Sequence, residues 1–140
     1  MWRVVGWLLL LTALTSCSGQ RIVEQDGYTL YLHRESLLPR GGETAEIGGA
    51  LVVHEGCVGL ESGENYPFIP VVWPAGTSIA STDPFAIRLP SGELLSLGEF
   101  VMGGGGFHSP EGLGLEIPAE CLPETNEVAV FNPDDNPTKS

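Results

Sequence analysis

The chain has few basic residues. Lysine and arginine together number 6 against 18 aspartates and glutamates, which gives a formal net charge of −12. So acidic a surface repels polyphosphates and anionic lipid headgroups, and the sequence therefore argues against nucleic-acid binding. Attachment to a membrane would need something other than a basic patch. The acidity identifies no activity by itself, since it is also typical of a soluble, self-repelling surface.

The chain also lacks a long hydrophobic run. Its N-terminal apolar stretch, residues 4–14, is shorter than the roughly 20 residues that a transmembrane helix needs. It follows Arg3 and precedes small residues, and its length fits the apolar region of a secretory signal peptide. We therefore predict that residues 1–16 are a signal peptide and leave them out of the fold prediction.

The end of this segment reads Leu14-Thr15-Ser16-Cys17, an aliphatic residue and two small residues before a cysteine. The pattern resembles the cleavage site of bacterial lipoproteins. The resemblance implies cleavage before Cys17, diacylglycerol on its sulfur, and an exported protein that its lipid holds on a cell membrane, facing the periplasm or the exterior. Several acyl chains hold a protein stably, whereas one gives marginal binding. An ordinary secretory signal, in which Cys17 has no role, is the alternative.

Cysteine is scarce: the chain has Cys17, Cys57 and Cys121, and no Cys-x-x-Cys motif. An odd cysteine in an exported protein needs a separate use, and lipidation of Cys17 leaves an even pair. In an oxidising compartment we predict that Cys57 and Cys121 form a disulfide, worth about 4 kcal/mol in the chain-entropy model. A redox or metal role fits less well, because the two residues are far apart in sequence.

Sustained helical periodicity is missing as well, and short β-rich runs alternate with turn residues. We predict an all-β fold: a small closed or partly open antiparallel β-barrel, OB-like or similar, with one disulfide. It would cover residues 22–131, after a lipidated N-terminus and short tether at 17–21 and before a disordered C-terminal tail at 132–140. The predicted strands are residues 28–33, 50–54, 57–60, 66–73, 85–89, 93–97, 100–102 and 128–131.

Glycines and prolines refine this prediction. Gly48-Gly49 and Gly59 lie within strand-like stretches and suit bends at a barrel corner. Pro67 and Pro70 indicate that the strand at 66–73 is an edge strand or is bulged, because proline cannot donate to the ladder. The run at 103–106 lacks the Lys-Ser/Thr of a phosphate loop, so we predict a flexible loop or a close approach of backbones.

Catalytic and metal signatures are absent too. The chain has no Gly-x-Ser-x-Gly elbow, and no two of its histidines have metal-motif spacing. We assign no catalytic residue, no metal ligand and no cofactor. His33, His54 and His108 are predicted to be single surface histidines, of which His54 and His108 are the more exposed. A dispersed catalytic triad stays open, because its members can be distant in sequence.

One loop bears on function. Ser62-Gly63-Glu64-Asn65-Tyr66 resembles the Ser-Gly-x-x-Tyr motif of periplasmic lysozyme inhibitors, which are small, disulfide-containing β-barrel lipoproteins. The resemblance implies that Ser62, Gly63 and Tyr66 enter the enzyme's active cleft, although the second, Lys-Gly-containing motif of that family is missing here. Residues 48–107 are also similar to the small β domains of exported lipoproteins, a likeness that carries no activity.

Three functional interpretations follow. The first is a non-enzymatic module, tethered by its lipid, that binds a protein or glycan of the cell envelope. The second is an inhibitor of an envelope-attacking hydrolase such as lysozyme. The third is a small metal-dependent or hydrolytic enzyme that uses His33, His54 or His108.

Overall fold

The computed structural model describes residues 20–34, 42–63 and 67–140. These residues are mostly β, which confirms the predicted class. The predicted signal peptide, Cys17 and Tyr66 lie outside them. The strands are β1 (Gln20–Gln25), β2 (Tyr28–His33), β3 (Ala45–His54), β4 (Cys57–Glu61), β5 (Ile69–Trp73), β6 (Ser78–Thr82), β7 (Phe85–Arg88), β8 (Leu94–Ser96), β9 (Phe100–His108), β10 (Val128–Phe131) and β11 (Thr138–Lys139).

Within the described residues, helical structure is limited to two short elements. Helix α1 spans Pro110–Leu113, and a 3₁₀ turn spans Ala119–Cys121. Within residues 20–34, 42–63 and 67–140, no helix has the length and apolar character needed to cross a membrane.

The larger sheet has the strand order β1-β2-β4-β3-β9-β10-β5, and β5 also pairs with β2 and β4. The pairings of β2 with β4, β2 with β5 and β5 with β10 are parallel. The prediction of a purely antiparallel sheet is therefore wrong. Parallel neighbours need a crossover connection, and the long segments between β2 and β5 and between β5 and β10 supply it. Strands β6, β7 and β8 form a separate antiparallel sheet.

Strand β5 lies between other strands and is not an edge strand. Ile69 and Pro70 pair with β4, whereas the following residues pair with β2 and β10. The missing N–H of Pro70 therefore falls where β5 changes partners, a position at which the ladder is interrupted in any case.

Two hydrophobic clusters lie on opposite faces of the larger sheet, because alternate residues of a strand point to opposite sides. On the inner face, Leu32 and Trp73 pack with side chains of the β6-β7-β8 sheet such as Ile87. On the outer face, Tyr31 and Val72 pack under the connection formed by residues 109–127. Strand β10 is buried on both faces, so it joins the two clusters.

The predicted disulfide lies in the outer cluster. Cys57 and Cys121 are bonded, with their Cα atoms 6.2 Å apart. Cys57 is the first residue of β4, and Cys121 closes the 3₁₀ turn that precedes β10. The bond therefore holds the 109–127 connection against the outer face of the sheet.

The glycine run at 103–106 belongs to β9 and is not a flexible loop. It pairs with β3 on one side and with β10 on the other. A Cβ atom at Gly105 would lie 2.0 Å from the carbonyl oxygen of Val130, well inside van der Waals contact. The run lets the backbones approach closely. This was the second of the two alternatives that the sequence predicted for it.

The structure also differs from the prediction of a disordered tail at 132–140. Strand β11 pairs with β9, and the backbone N–H of Ser140 donates to the carbonyl oxygen of Phe100 at 3.0 Å. Lys139 forms an ion pair with Glu99. Hydrogen bonds to the backbone of β9 and contacts of polar side chains hold this segment against the sheet. Its lack of apolar residues therefore did not indicate disorder.

The buried side chain of Tyr31 should make the free energy of unfolding depend on pH above about pH 10. Its side chain is 2 % exposed, and burial, followed by the charge of Glu24, raises the pKa of the phenol above its ordinary value of 10.0. Because the folded pKa exceeds the unfolded one, the stabilisation is complete below about pH 10 and is lost as the pH rises through the folded pKa. We expect the free energy of unfolding to fall less steeply above pH 10 in Tyr31→Phe. Urea titrations followed by Trp73 fluorescence measure it, and equal slopes would contradict the assignment.

Candidate functional site

A groove with a volume of about 960 Å³ opens on the larger sheet. Strands β3, β4, β5, β9 and β10 and the loop that precedes β10 all contribute to it. Its floor is mainly apolar and includes Gly48, Leu60, Ile69, Phe100, Met102, Phe107 and Leu122. An apolar cleft of this size is the usual form of a ligand-binding site, so we take it as the candidate site.

Local geometry explains how the floor forms. Gly48 in β3 lies opposite Met102 in β9. A Cβ atom at Gly48 would lie 3.1 Å from Met102 Cγ and 3.4 Å from the ring of Phe100, so the glycine lets both side chains lie close over β3. Phe100 stays 40 % exposed and Phe107 47 % exposed. Both rings line the groove and leave apolar surface open to solvent inside it.

The rim of the groove is acidic. Glu46, Glu124 and Glu127 line it and are exposed to solvent. None of the described residues that line the groove is a lysine or an arginine. The groove therefore combines an apolar floor with a negative edge, an arrangement that raises the local concentration of cations.

Part of the predicted partner-binding loop lies at this rim. Ser62 lines the groove, and its hydroxyl donates to the carbonyl oxygen of Gly48, which fastens the start of the loop to β3. Gly63 follows and is exposed, and Pro67, at the other end of the loop, also lines the groove. The third predicted residue, Tyr66, lies outside the described residues.

The three histidines lie in different environments. His33 is only 6 % exposed, and its Nε2 lies 2.8 Å from the carbonyl oxygen of Phe131, so the prediction of a surface residue is wrong for it. His54 is exposed, with its ring 5.3 Å from the ring of Phe68. Among residues 20–34, 42–63 and 67–140 no group of three or more metal-ligating side chains comes together.

His108 takes part in an arrangement that the sequence did not reveal. Its Nε2 lies 2.6 Å from Glu43 Oε2. The Glu43 carboxylate occupies the space beside Gly106 that a Cβ atom would need, at 2.2 Å. The amide of Asn132 accepts from the backbone N–H of Glu43 at 2.7 Å and donates to its carbonyl oxygen at 2.9 Å. These contacts fasten the start of β3 to β9 and to the segment after β10.

Sequence reasoning also missed Phe100, Met102 and Phe107. The first two are two positions apart in β9 and share a face, a signal that was available once the strand was recognised. Phe107 was not assigned to a strand, because the glycine run before it suggested a loop. Comparison of the chain with protein-family models, with curated proteins and with solved structures finds no match.

Proposed function

We propose that the protein is a lipid-anchored component of the cell envelope and that it acts as a non-enzymatic binding module through the groove. The observation that carries the proposal is the pair of exposed phenylalanines, Phe100 and Phe107, in an apolar cleft built on strands. Side chains on strands are held more firmly than side chains on loops, and a preorganised cleft loses less entropy when a partner binds.

The proposal includes a small barrel, closed or partly open, as the scaffold. Its support is the path of pairings, which runs from β2 through β4, β3, β9 and β10 to β5 and returns to β2. Leu32 and Trp73 lie inside this path, in the inner cluster. The groove would then lie on the wall of the barrel, where the β3 and β4 strands separate.

The anchor is Cys17. The disulfide uses the other two cysteines of the chain and so accounts for both of them without Cys17. Strand β1 begins at Gln20, three positions after Cys17, so a lipid on Cys17 would keep the domain close to the membrane. Intact-mass measurement of membrane-extracted protein should show a diacylated chain that begins at Cys17. An unmodified chain with another N-terminus would overturn the anchor.

A site-directed cross-link tests the groove. A photoreactive phenylalanine analogue replaces Phe107 in one variant and the exposed Leu97, which does not line the groove, in a matched control. We expect a discrete cross-linked species in intact envelopes from position 107 and none from position 97. Irradiation that yields the same species from both positions, or from neither, would contradict binding in the groove.

A second candidate function is inhibition of an envelope-attacking hydrolase such as lysozyme. The observation that favours it is the contact from Ser62 to Gly48, which presents the start of the Ser62–Gly63 loop at the groove. The protein should then slow lysozyme at micromolar concentration, and Tyr66→Ala should weaken the inhibition while Leu97→Ala leaves it unchanged. Full lysozyme activity in the presence of the wild-type protein would end this candidate.

A further inference from the structure

We propose that the groove binds a small amphiphilic amine, a molecule with an apolar chain or ring system and one protonated amino group. The inference rests on the proposed function of the groove and adds the chemical class of its ligand. It depends on three features of the groove: an apolar floor on the inner hydrophobic cluster, an acidic rim and a volume suited to a small molecule.

The floor of the groove lies on the inner cluster. Ile47 and Leu60 line the groove and are buried members of that cluster, and the half-buried Ile69 lines the groove and packs against it. The exposed rings of Phe100 and Phe107 extend this apolar surface. A ligand that lies here would therefore gain most of its affinity from the burial of its own apolar part.

The floor is better suited to an apolar chain or ring than to a peptide backbone. A peptide on this surface would need hydrogen-bond partners for the N–H and carbonyl groups that lose water. The hydroxyl of Ser62, which lines the groove, already donates to the carbonyl oxygen of Gly48. An alkyl chain or an aromatic ring needs no such partner. The volume of about 960 Å³ also lies within the range of small-molecule sites, roughly 300–1,000 Å³.

The rim determines the charge of the ligand. Glu46, Glu124 and Glu127 line the groove and are exposed to solvent. The ion pairs among the described residues involve none of these three carboxylates. A protonated amine at the rim would be attracted by them, whereas a carboxylate or a phosphate would be repelled. A neutral lipid or a neutral glycan would make no use of the rim.

The floor and the rim together define the orientation of the ligand. The apolar part lies on the floor, and the amino group stays at the rim in contact with water, because a desolvated ammonium group is costly. Ion pairs at an exposed rim contribute little free energy, so the rim supplies selectivity and the floor supplies affinity. Salt should therefore weaken the binding of an amine and have no such effect on its neutral analogue.

Methyl NMR of the full protein in nanodiscs of zwitterionic lipid tests the inference. The probe is hexylamine, and the two comparators, hexanol and hexanoate, keep its apolar chain and change the polar end. Empty nanodiscs titrated in parallel give the free concentration of each compound. The methyl groups of Ile47 and Ile69 report on the groove, and those of Ile79 and Ile117, which do not line it, are the references.

Hexylamine should shift the methyl resonances of Ile47 and Ile69 in a saturable titration. We expect it to bind about threefold more tightly than hexanol and about tenfold more tightly than hexanoate, because only the charge of the polar end differs in sign or is absent. Raising the ionic strength to about 0.5 M should weaken the binding of hexylamine about twofold and leave that of hexanol unchanged.

Variants of the protein separate the rim from the floor. The double variant Glu46→Gln/Glu127→Gln should weaken hexylamine about threefold and leave hexanol unchanged, because both carboxylates lie at the rim. Met102→Gln places an amide on the floor and should weaken the amine and the alcohol equally. The matched control Glu116→Gln/Glu120→Gln changes two exposed glutamates outside the groove and should affect neither compound. Circular dichroism confirms that each variant is folded.

The outcomes distinguish this inference from the function on which it rests. Binding of hexanoate as tight as that of hexylamine, or an unchanged preference for the amine in the Glu46→Gln/Glu127→Gln variant, would overturn it. Equal shifts at Ile79 and Ile117 would place the binding outside the groove and overturn it too. If no compound binds while position 107 still forms its envelope cross-link, the groove has a different occupant, and only the amine inference fails. If the cross-link is also absent, the proposed function fails with it.

Discussion

Replacement of both Cys57 and Cys121 by alanine should lower the free energy of unfolding by about 4 kcal/mol. The two residues are 64 positions apart, and a disulfide across a loop of this length removes a large amount of conformational entropy from the unfolded chain. Urea unfolding of the wild type and the double variant, followed by Trp73 fluorescence, measures the difference. The wild type with its disulfide reduced, which breaks the same bond without a substitution, is the matched control and should show a loss of similar size.

The double variant without the disulfide should also open more readily at residues 109–127. Without the bond, residues 109–127 keep only their packing on the outer cluster, to which Leu115 and Leu122 contribute. Amide hydrogen exchange in this connection should become faster than in β2 or β10, since local opening needs less free energy than global unfolding. A loss of stability below about 1 kcal/mol, or uniform exchange throughout the chain, would show that the disulfide adds little to the packing.

Gly105→Ala is expected to have an effect of similar size. The new Cβ atom would lie 2.0 Å from the carbonyl oxygen of Val130 and 2.6 Å from Ile47 Cδ1, so β9 and β10 would have to move apart. Overpacking of this kind costs about 3 kcal/mol, and here the neighbour is backbone that cannot rotate away. Thermal unfolding and urea titration measure the loss.

Gly104→Ala provides the matched control. At this position the nearest atom to a new Cβ is Asn132 Nδ2 at 3.2 Å, the end of a side chain that can shift. We expect a loss of no more than about 1 kcal/mol. If the two variants have equal stability, the close approach of β9 to β10 at Gly105 is wrong.

The strands that the sequence predicts best are those with apolar residues on both faces. Strands β2 and β10 have the predicted bounds, because they lie between the inner and the outer cluster and consist mainly of β-branched, aromatic and leucine side chains. Strand β1 was not predicted because most of its residues are exposed and polar, and among the described strands it pairs with β2 alone. Strand β11 pairs with β9, and a pairing between such distant segments leaves no local signal.

The candidate site was harder to predict than the fold. The Ser62–Gly63 loop was found through a short resemblance, and the structure places Ser62 at the groove. Phe100 and Phe107 come from β9 and Glu127 from the loop before β10, and the groove combines them with Glu46 of β3 and Ile69 of β5, which lie far away in sequence. Contacts between such distant segments depend on tertiary packing, which no periodicity within a single segment encodes.

The return of residues 132–140 along β9 has a practical consequence for protein chemistry. Ser140 bonds to the carbonyl of Phe100, and Phe100 is part of the groove floor. An affinity tag or a fluorescent protein joined to Ser140 would therefore begin next to Phe100 and the groove that it lines. Labels for binding measurements belong instead at an exposed position such as Leu97, which does not line the groove.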